Sequence, residues 1–372
     1  MLKKKILSGL LAATLAVSAV CLTACGGDKS TDETTAAPSA ENAETEETAA
    51  EVKDLGSTLT VYTAMPEDEI PYYFNAFEKD TGVEVQYVRL SAGEMLTRVE
   101  AEKENPNASM MFGGSSDTYI AANGSGLLEP YQTPELVNVP DQYHDDEEVW
   151  NPIYVGAICF ACNSEWFEEQ GLDYPKTWDD LLKPEFEGQV SLAHPSTSGT
   201  SYTILSTLVQ AKGEDEAYEY LKKLDNNVRQ YTKAGAAPPM EVGLGEAAIA
   251  ITFSHDGLKP VAEGYPVEVV FPEDGTGYEV GAAALIKNGP AEEVEAAKAF
   301  IDWLNSVRGQ ECYIESKSNR LPVNSNAKVT DGLQSLSDLN VIDYDAVWAG
   351  ENRTRLIEHF NEYVDNAEDL KQ

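Results

Sequence analysis

Basic residues are scarce in this chain. Its 372 residues hold 26 Lys and Arg against 64 Asp and Glu, a formal net charge of −38. With no basic surface to displace counterions from phosphates, nucleic acid is excluded as a partner. A small anion is not excluded, because a local pocket of backbone amides can oppose the global field. Cysteine is also scarce: there are five, and Cys21 and Cys25 fall in an N-terminal leader. Cys159, Cys162 and Cys312 are left, too few and too odd in number for a disulfide scaffold. Cys159 and Cys162 have the spacing of a redox or zinc pair. They lie in a strand-like run, Ile153 to Cys162, where residues three apart face opposite sides, so core packing is expected. No second pair with zinc spacing follows. Beyond the leader no apolar run reaches membrane-spanning length. The Gly-Lys-Ser/Thr of a phosphate-binding loop and the Gly-x-Ser-x-Gly of a nucleophile elbow are missing as well. No internal repeat is visible.

What is present begins with the leader. Met1 to Lys5 carry three lysines, Ile6 to Val20 are apolar and small, and Leu22-Thr23-Ala24-Cys25 follows. This order reads as a secretory signal, residues 1–24, whose apolar run is too short to span a membrane. Its ending resembles the bacterial lipobox, in which the Cys, here Cys25, becomes the lipidated first residue. Residues 26 to 56 contain no aromatic and only two basic residues. They cannot bury enough apolar surface to offset ordering entropy. Residues 25–56 therefore read as a flexible acidic tether that holds a body outside the cytoplasmic membrane.

The body alternates strand and helix patterns. Leu59 to Thr63 reads as a strand. Pro66-Glu67-Asp68-Glu69 then opens a helix, with Pro and acids where a first turn favours them. Ile70, Tyr73, Phe74 and Phe77 place one apolar face on it, so Tyr73 of the Tyr72-Tyr73 pair reads as core. Strands are expected at 83–88, 110–112, 153–162, 188–193, 248–253, 267–271 and 279–287. Helices are expected at 93–104, from about 117, and at 199–212, 214–224, 290–307 and 350–367. Such alternation implies an α/β protein with largely parallel sheets.

In open α/β sheets ligands sit beyond the carboxyl ends of strands, where helices begin. Four turns qualify: Thr63-Ala64-Met65, Gly113 to Asp117, Ser196 to Thr200, and Ser254-His255-Asp256-Gly257. They come from both halves of the body, which suggests one ligand held between two lobes. In His194-Pro195-Ser196-Thr197-Ser198-Gly199-Thr200, hydroxyls and free amides at a helix start make either an anion cradle or a plain N-cap. His255 and Asp256 can hydrogen-bond sugar hydroxyls, bind an ammonium or ligate a metal, or they can simply form a solvated turn. Glu279 begins a strand and reads as a further acceptor or an edge carboxylate. The Asp145-Asp146-Glu147-Glu148 run beside His144 reads as a solvated acidic loop. Lys233 and Arg320 are candidate extra cations.

Leu59-Thr60-Val61-Tyr62-Thr63, Phe112-Gly113-Gly114-Ser115-Ser116-Asp117, the Ser196 to Thr200 turn and Asn319-Arg320-Leu321-Pro322-Val323 together resemble a known family. It is the type II periplasmic-binding proteins of ABC importers, in the branch that contains ferric-iron-binding proteins. The resemblance covers residues 57 to 330. It implies two α/β lobes joined by crossing strands, a ligand cleft between them, and delivery of the solute to a membrane permease. The lobes expected are 57–155 with 284–335, and 156–283 with 336–372. Iron-binding members carry adjacent tyrosines near the turn where this chain has Phe253-Ser254-His255-Asp256. Hexose-phosphate-binding members are more similar, with a His-Asp pair there and a Glu about two dozen residues later. By that resemblance His255, Asp256 and Glu279 hold the sugar hydroxyls. Ser198, Gly199 and Thr200, with Thr63 and Ser115 or Ser116 opposite, take the phosphate. The resemblance implies a monomer that takes a small anionic solute, with no catalytic residue, no resident metal and no cofactor. Other ligands open to the same scaffold are 2-aminoethylphosphonate and ferric iron or another metal. A secreted phosphatase is the alternative of a different class. His194 near Ser196 or Ser198, or Asp256 beside His255, would be its catalytic pair, but no motif supplies the orienting third group.

Overall fold

The computed structural model describes residues 54–364. The leader, Cys25 and the acidic segment up to residue 53 lie outside the described residues, as does the end of the last expected helix. The strands are β1 (Thr58–Thr63), β2 (Glu84–Arg89), β3 (Met110–Ser115), β4 (Leu128–Glu129), β5 (Trp150–Asn163), β6 (Val190–Ala193), β7 (Val228–Thr232), β8 (Ile249–Phe253), β9 (Val267–Val270), β10 (Tyr278–Ile286) and β11 (Leu321–Pro322). The helices are α1 (Ile70–Thr81), α2 (Ala92–Ala101), α3 (Ser116–Gly124), α4 (Ser164–Gln170), α5 (Gly199–Lys212), α6 (Glu214–Leu224), α7 (Pro238–Gly243), α8 (Ser254–Ala262), α9 (Val294–Asn305), α10 (Val307–Gln310), α11 (Cys312–Glu315) and α12 (Ala346–Tyr363).

The strands hydrogen-bond in the order β2-β1-β3-β10-β5-β8-β6-β7, with β9 and β11 also on β5 and β4 on β10. β1, β2 and β3 are parallel, and so are β6, β7 and β8. The expectation of largely parallel sheets fails in the middle, where β10 and β5 run antiparallel to each other and to their neighbours β3 and β8. The cause is connectivity. β5 is one strand of 14 buried residues. Its first half pairs with β10, and its second half, from Ile158, pairs with β8 and β9. A strand shared by two halves returns against each of them. Being covered on both faces, it shows no polar alternation, which is why Cys159 and Cys162 are both buried free thiols.

Each half has its own core. In the first, Ile70, Tyr73, Phe74 and Phe77 of α1 are all buried and pack on Phe112 of β3 and Phe300 of α9. Phe77 and Phe300 rings lie 4.8 Å apart, centroid to centroid. Burying each such ring contributes about 1.5–3 kcal/mol. α1 starts at Ile70 rather than Pro66, because 66–69 forms a separate turn closed by Ile70 N–H to Pro66 O at 3.2 Å. In the second half, α5 and α6 cover Phe160, Trp178 and Phe253. α12 packs its Leu356 and Phe360 into that same core. It also touches α3 of the first half through a buried ion pair, Arg353 Nη1 to Asp117 Oδ1 at 2.9 Å. Thr203 of α5 donates to the other oxygen of Asp117 at 3.0 Å. Asp117, in one of the four turns, therefore ties helices together.

Candidate functional site

One cavity of about 50 Å³ lies where the two halves meet. Among the expected site residues, Ser115, Ser198, Gly199, Thr200, His255, Asp256 and Glu279 line it. Thr63 and Ser116 do not. Thr63 is fully buried at the end of β1, and its Oγ1 accepts the Met65 N–H at 3.1 Å. Ser116, one residue along from Ser115, lines a different cavity behind the sheet.

One wall is the first turn of α5. Ser198 is its N-cap, with Oγ accepting from Ser201 N–H at 3.3 Å. The N–H groups of Gly199 and Thr200 lie in the turn where a helix supplies no acceptor, and the positive end of the helix dipole favours an anion. Gly199 is needed for a close approach between the halves. A Cβ there would meet Ala92 Cβ at 2.9 Å and Ser115 Oγ at 3.2 Å. The halves also join by Gly93 N–H donating to Thr197 O at 3.0 Å, and by an ion pair between Lys259 and Asp68. Arg89, at the end of β2, lines the same cavity. Its Nε donates to Met65 O at 3.3 Å, and it forms no ion pair among the described residues. Sequence reading missed Arg89. Its only signal is a cation at a strand end, a position common to many solvated residues. Lys233 is exposed and off the cavity; its backbone carbonyl accepts from Thr197 Oγ1 at 2.9 Å, and its charge acts on Glu94.

The other wall is acidic. His255 and Asp256 open α8 directly after β8, while Glu279 stands on β10 opposite Gly156 of β5. His255 Nε2 lies 3.5 Å from Glu279 Oε1 and 3.8 Å from Asp256 Oδ2. The ring stacks on Phe253, with centroids 5.5 Å apart, and meets Tyr154 edge-on at 5.6 Å. Gly156 makes room for it, since a Cβ at that position would stand 2.6 Å from His255 Nδ1. Burial holds the His255 imidazole neutral, far below its usual range, with nearby Arg320 adding to the effect. Burial also raises the carboxyls of Asp256 and Glu279, against the attraction of Arg320. Asp256 is 7% exposed and its carboxyl makes no hydrogen bond among the described residues. His255 Nδ1 is likewise buried without a partner. Such groups cost free energy unless something binds them.

Arg320 also lines the cavity. It pairs with buried Glu69 and lies over the Tyr154 ring, 4.8 Å from its centroid. Burial lifts the Glu69 carboxyl to about 7 even with this partner. Tyr154 lines the cavity, and Glu69 reaches it only through Arg320; the sequence context of both looked purely structural.

His194 and Ser196 do meet, with Ser196 Oγ 2.6 Å from Nδ1. The same nitrogen accepts Ser196 N–H at 3.1 Å, so the pair closes a turn, and neither residue lines the cavity. Among the described residues no three His, Cys, Asp or Glu side chains are grouped to hold a metal ion.

Residues 111–348 match the family model described as bacterial extracellular solute-binding protein. The chain belongs to that family. An uncharacterised protein of Haemophilus influenzae is 36% identical over 297 residues, 78% of this chain and 85% of that protein. The structure of the periplasmic binding protein AfuA from Actinobacillus pleuropneumoniae, with exogenous fructose 6-phosphate bound, aligns with a TM-score of 0.80 and 32% identity. It covers 83% of this chain and 98% of that one. Iron-bound HitA from Pseudomonas aeruginosa, at 21% identity, a TM-score of 0.70 and coverage of 82% and 99%, shares the fold. This solute-binding protein thus has the type II periplasmic-binding architecture and falls in the branch that includes ferric-binding proteins.

Proposed function

We propose that this solute-binding protein captures a hexose phosphate between its two halves and delivers it to an ABC permease. The observation that carries the reading is the polarity of one cavity. The first turn of α5, with the Gly199 and Thr200 N–H groups that have no acceptor in the helix, lines it together with Arg89, His255, Asp256 and Glu279. In this reading the phosphate accepts from the Gly199 and Thr200 amides, from the Ser115, Ser198 and Thr200 hydroxyls and from Arg89. Sugar hydroxyls donate to Asp256 and Glu279, and neutral His255 takes or gives one bond. The fructose 6-phosphate in the AfuA structure supports the same ligand class here.

The mechanism follows from contacts made only when the halves meet. Residues 57–155 with 284–335 act as one lobe and 156–283 with 336–372 as the other. A ligand that touches both lobes favours the closed state by its differential affinity for it. The Gly93–Thr197 and Lys259–Asp68 contacts between the halves add to that state. The ligand is released unchanged to the permease, so no catalytic residue is assigned. Cys25 carries the lipid, and the acidic segment spans from membrane to body. The protein acts as a monomer.

Calorimetric titration of the chain from Gly26 on with glucose 6-phosphate and fructose 6-phosphate tests the reading. Glucose and inorganic phosphate serve as controls. Micromolar binding of an ester, corresponding to about −8 kcal/mol, with neither fragment comparable, is expected. Equal binding of inorganic phosphate alone, or binding of 2-aminoethylphosphonate or ferric iron in place of the esters, refutes it.

A further inference from the structure

The front cavity is small for a hexose phosphate. At about 50 Å³ it holds only a few water-sized groups, each needing about 10–15 Å³, and a hexose phosphate is several times larger. A cavity of about 370 Å³ adjoins it. Pro66, Arg89, Ala236 and Asp256 line both, so the two are chambers of one cleft. The outer chamber, like the inner one, is walled by both halves. Glu67 and Asp68 come from the first, and Met240 and Lys259 from the second. The Lys259–Asp68 ion pair bridges those walls.

Asp256 is the polar group that the chambers share. Its side chain is 8% exposed, and its carboxyl makes no hydrogen bond among the described residues. A carboxylate has about four acceptor sites, enough to take hydroxyls from both chambers at once. The charges of the outer chamber disfavour a second anionic group there. Glu67, Asp68 and Asp256 outnumber Arg89 and Lys259. Lys259 is taken by Asp68, and Arg89 also lines the inner chamber, where the phosphate binds. Glu67 is exposed and pairs with no cation among the described residues. Pro66, Pro239, Met240 and Pro260 supply apolar surface beside these acids. Carboxylates that accept from hydroxyls, next to apolar surface that packs on C–H groups, suit a neutral polyhydroxylated ring.

We propose that the outer chamber takes a second sugar ring, so that the preferred ligand is a phosphorylated disaccharide. The phosphorylated ring occupies the inner chamber. The ring joined to its C1 packs on the prolines and Met240, and its hydroxyls donate to Asp256 and Glu67. This rests on the hexose-phosphate reading of the inner chamber and extends it.

The test is calorimetric titration of the chain from Gly26 on with trehalose 6-phosphate and maltose 6′-phosphate, each joined at C1 of the phosphorylated ring, beside glucose 6-phosphate. At least one disaccharide ester is expected to bind about threefold or more tightly than glucose 6-phosphate. Met240→Trp fills the outer chamber and should bring that ratio to about one or below. Glu67→Gln, at an exposed position, should lower the ratio about twofold, so the reading does not depend on the larger substitution being tolerated. A smaller preference for the disaccharide esters or none, or a ratio that neither variant changes, overturns the second-ring site while glucose 6-phosphate binding leaves the hexose-phosphate reading standing. Failure of all three esters to bind overturns both.

Discussion

Gly156→Ala is a substitution of one methyl group in the central strand, and its effect can be worked out from the packing around His255. The new Cβ would stand 2.6 Å from Nδ1. Ordinary contact needs about 3.4 Å, so the ring or the strand must give by about 0.8 Å. The ring has little room, being 3% exposed, stacked on Phe253 and edged by Tyr154. Overpacking of this kind costs about 1–3 kcal/mol of stability. The displaced ring also leaves the position from which it meets the ligand, and loss of one hydrogen bond with its partner left buried costs about 1–3 kcal/mol of binding. Affinity for hexose phosphate should then fall about 5- to 150-fold. Titration calorimetry reads the affinity, and thermal unfolding followed by circular dichroism reads the stability. The double variant Gly156→Ala/His255→Ala separates the causes: it should regain part of the lost stability and none of the affinity. Unchanged affinity in Gly156→Ala, or a double variant no more stable than the single one, would refute the assignment of His255 to the ligand.

Other expectations follow from the same cavity and its supports. Asp256→Asn and Glu279→Gln should each weaken hexose-phosphate binding about tenfold or more. They should also flatten the pH dependence of unliganded stability. A buried carboxyl with a raised pKa keeps its proton where the unfolded chain has lost it, so wild-type stability falls as pH rises above the ordinary carboxylate range. Melting curves across pH, taken as differences between wild type and variant, check the sign; a steeper fall in the variants would contradict it. Arg89→Ala should lower ester affinity by about 1.5–3 kcal/mol, with any weak binding of free glucose left unaltered in the same titration. Asp117→Ala strands the buried Arg353 guanidinium and should cost about 3–5 kcal/mol, read by urea unfolding. Cys25→Ala should move the protein from the membrane fraction to the medium in cell fractionation. Continued membrane retention would show that another segment anchors it.

Much of the α/β pattern was legible because it rests on local periodicity. The face made by Ile70, Tyr73, Phe74 and Phe77, the helix after Ser198 and the strand before His255 each follow from spacing within a dozen residues or so. Strand direction was not legible. Whether β5 and β10 run with or against their neighbours depends on how the chain crosses between halves, and a fully buried strand reads the same either way. β7 was missed because its alternation is weak and one residue in five is buried outright.

The candidate site divides along the same line. Ser198, Gly199, Thr200, His255 and Asp256 could be picked out because strand-to-helix turns carry turn chemistry in their own sequence. Arg89 and Tyr154 entered the site only through folding, and folding also chose Arg320 over Lys233 as the candidate cation that lines the cavity. It excluded Thr63 as well, whose hydroxyl is spent on the Met65 amide. By itself, the sequence determined the acidic charge, the leader pattern, the alternation of elements and the turns where a ligand could sit. The tertiary structure decided which of those turns face one cavity, which side of β10 each residue serves, and where the unpaired groups lie. The physical reason is range: backbone preferences act over a few residues, whereas burial and polar pairing are set by chain segments more than a hundred positions apart, as in the 236-residue separation between Asp117 and Arg353.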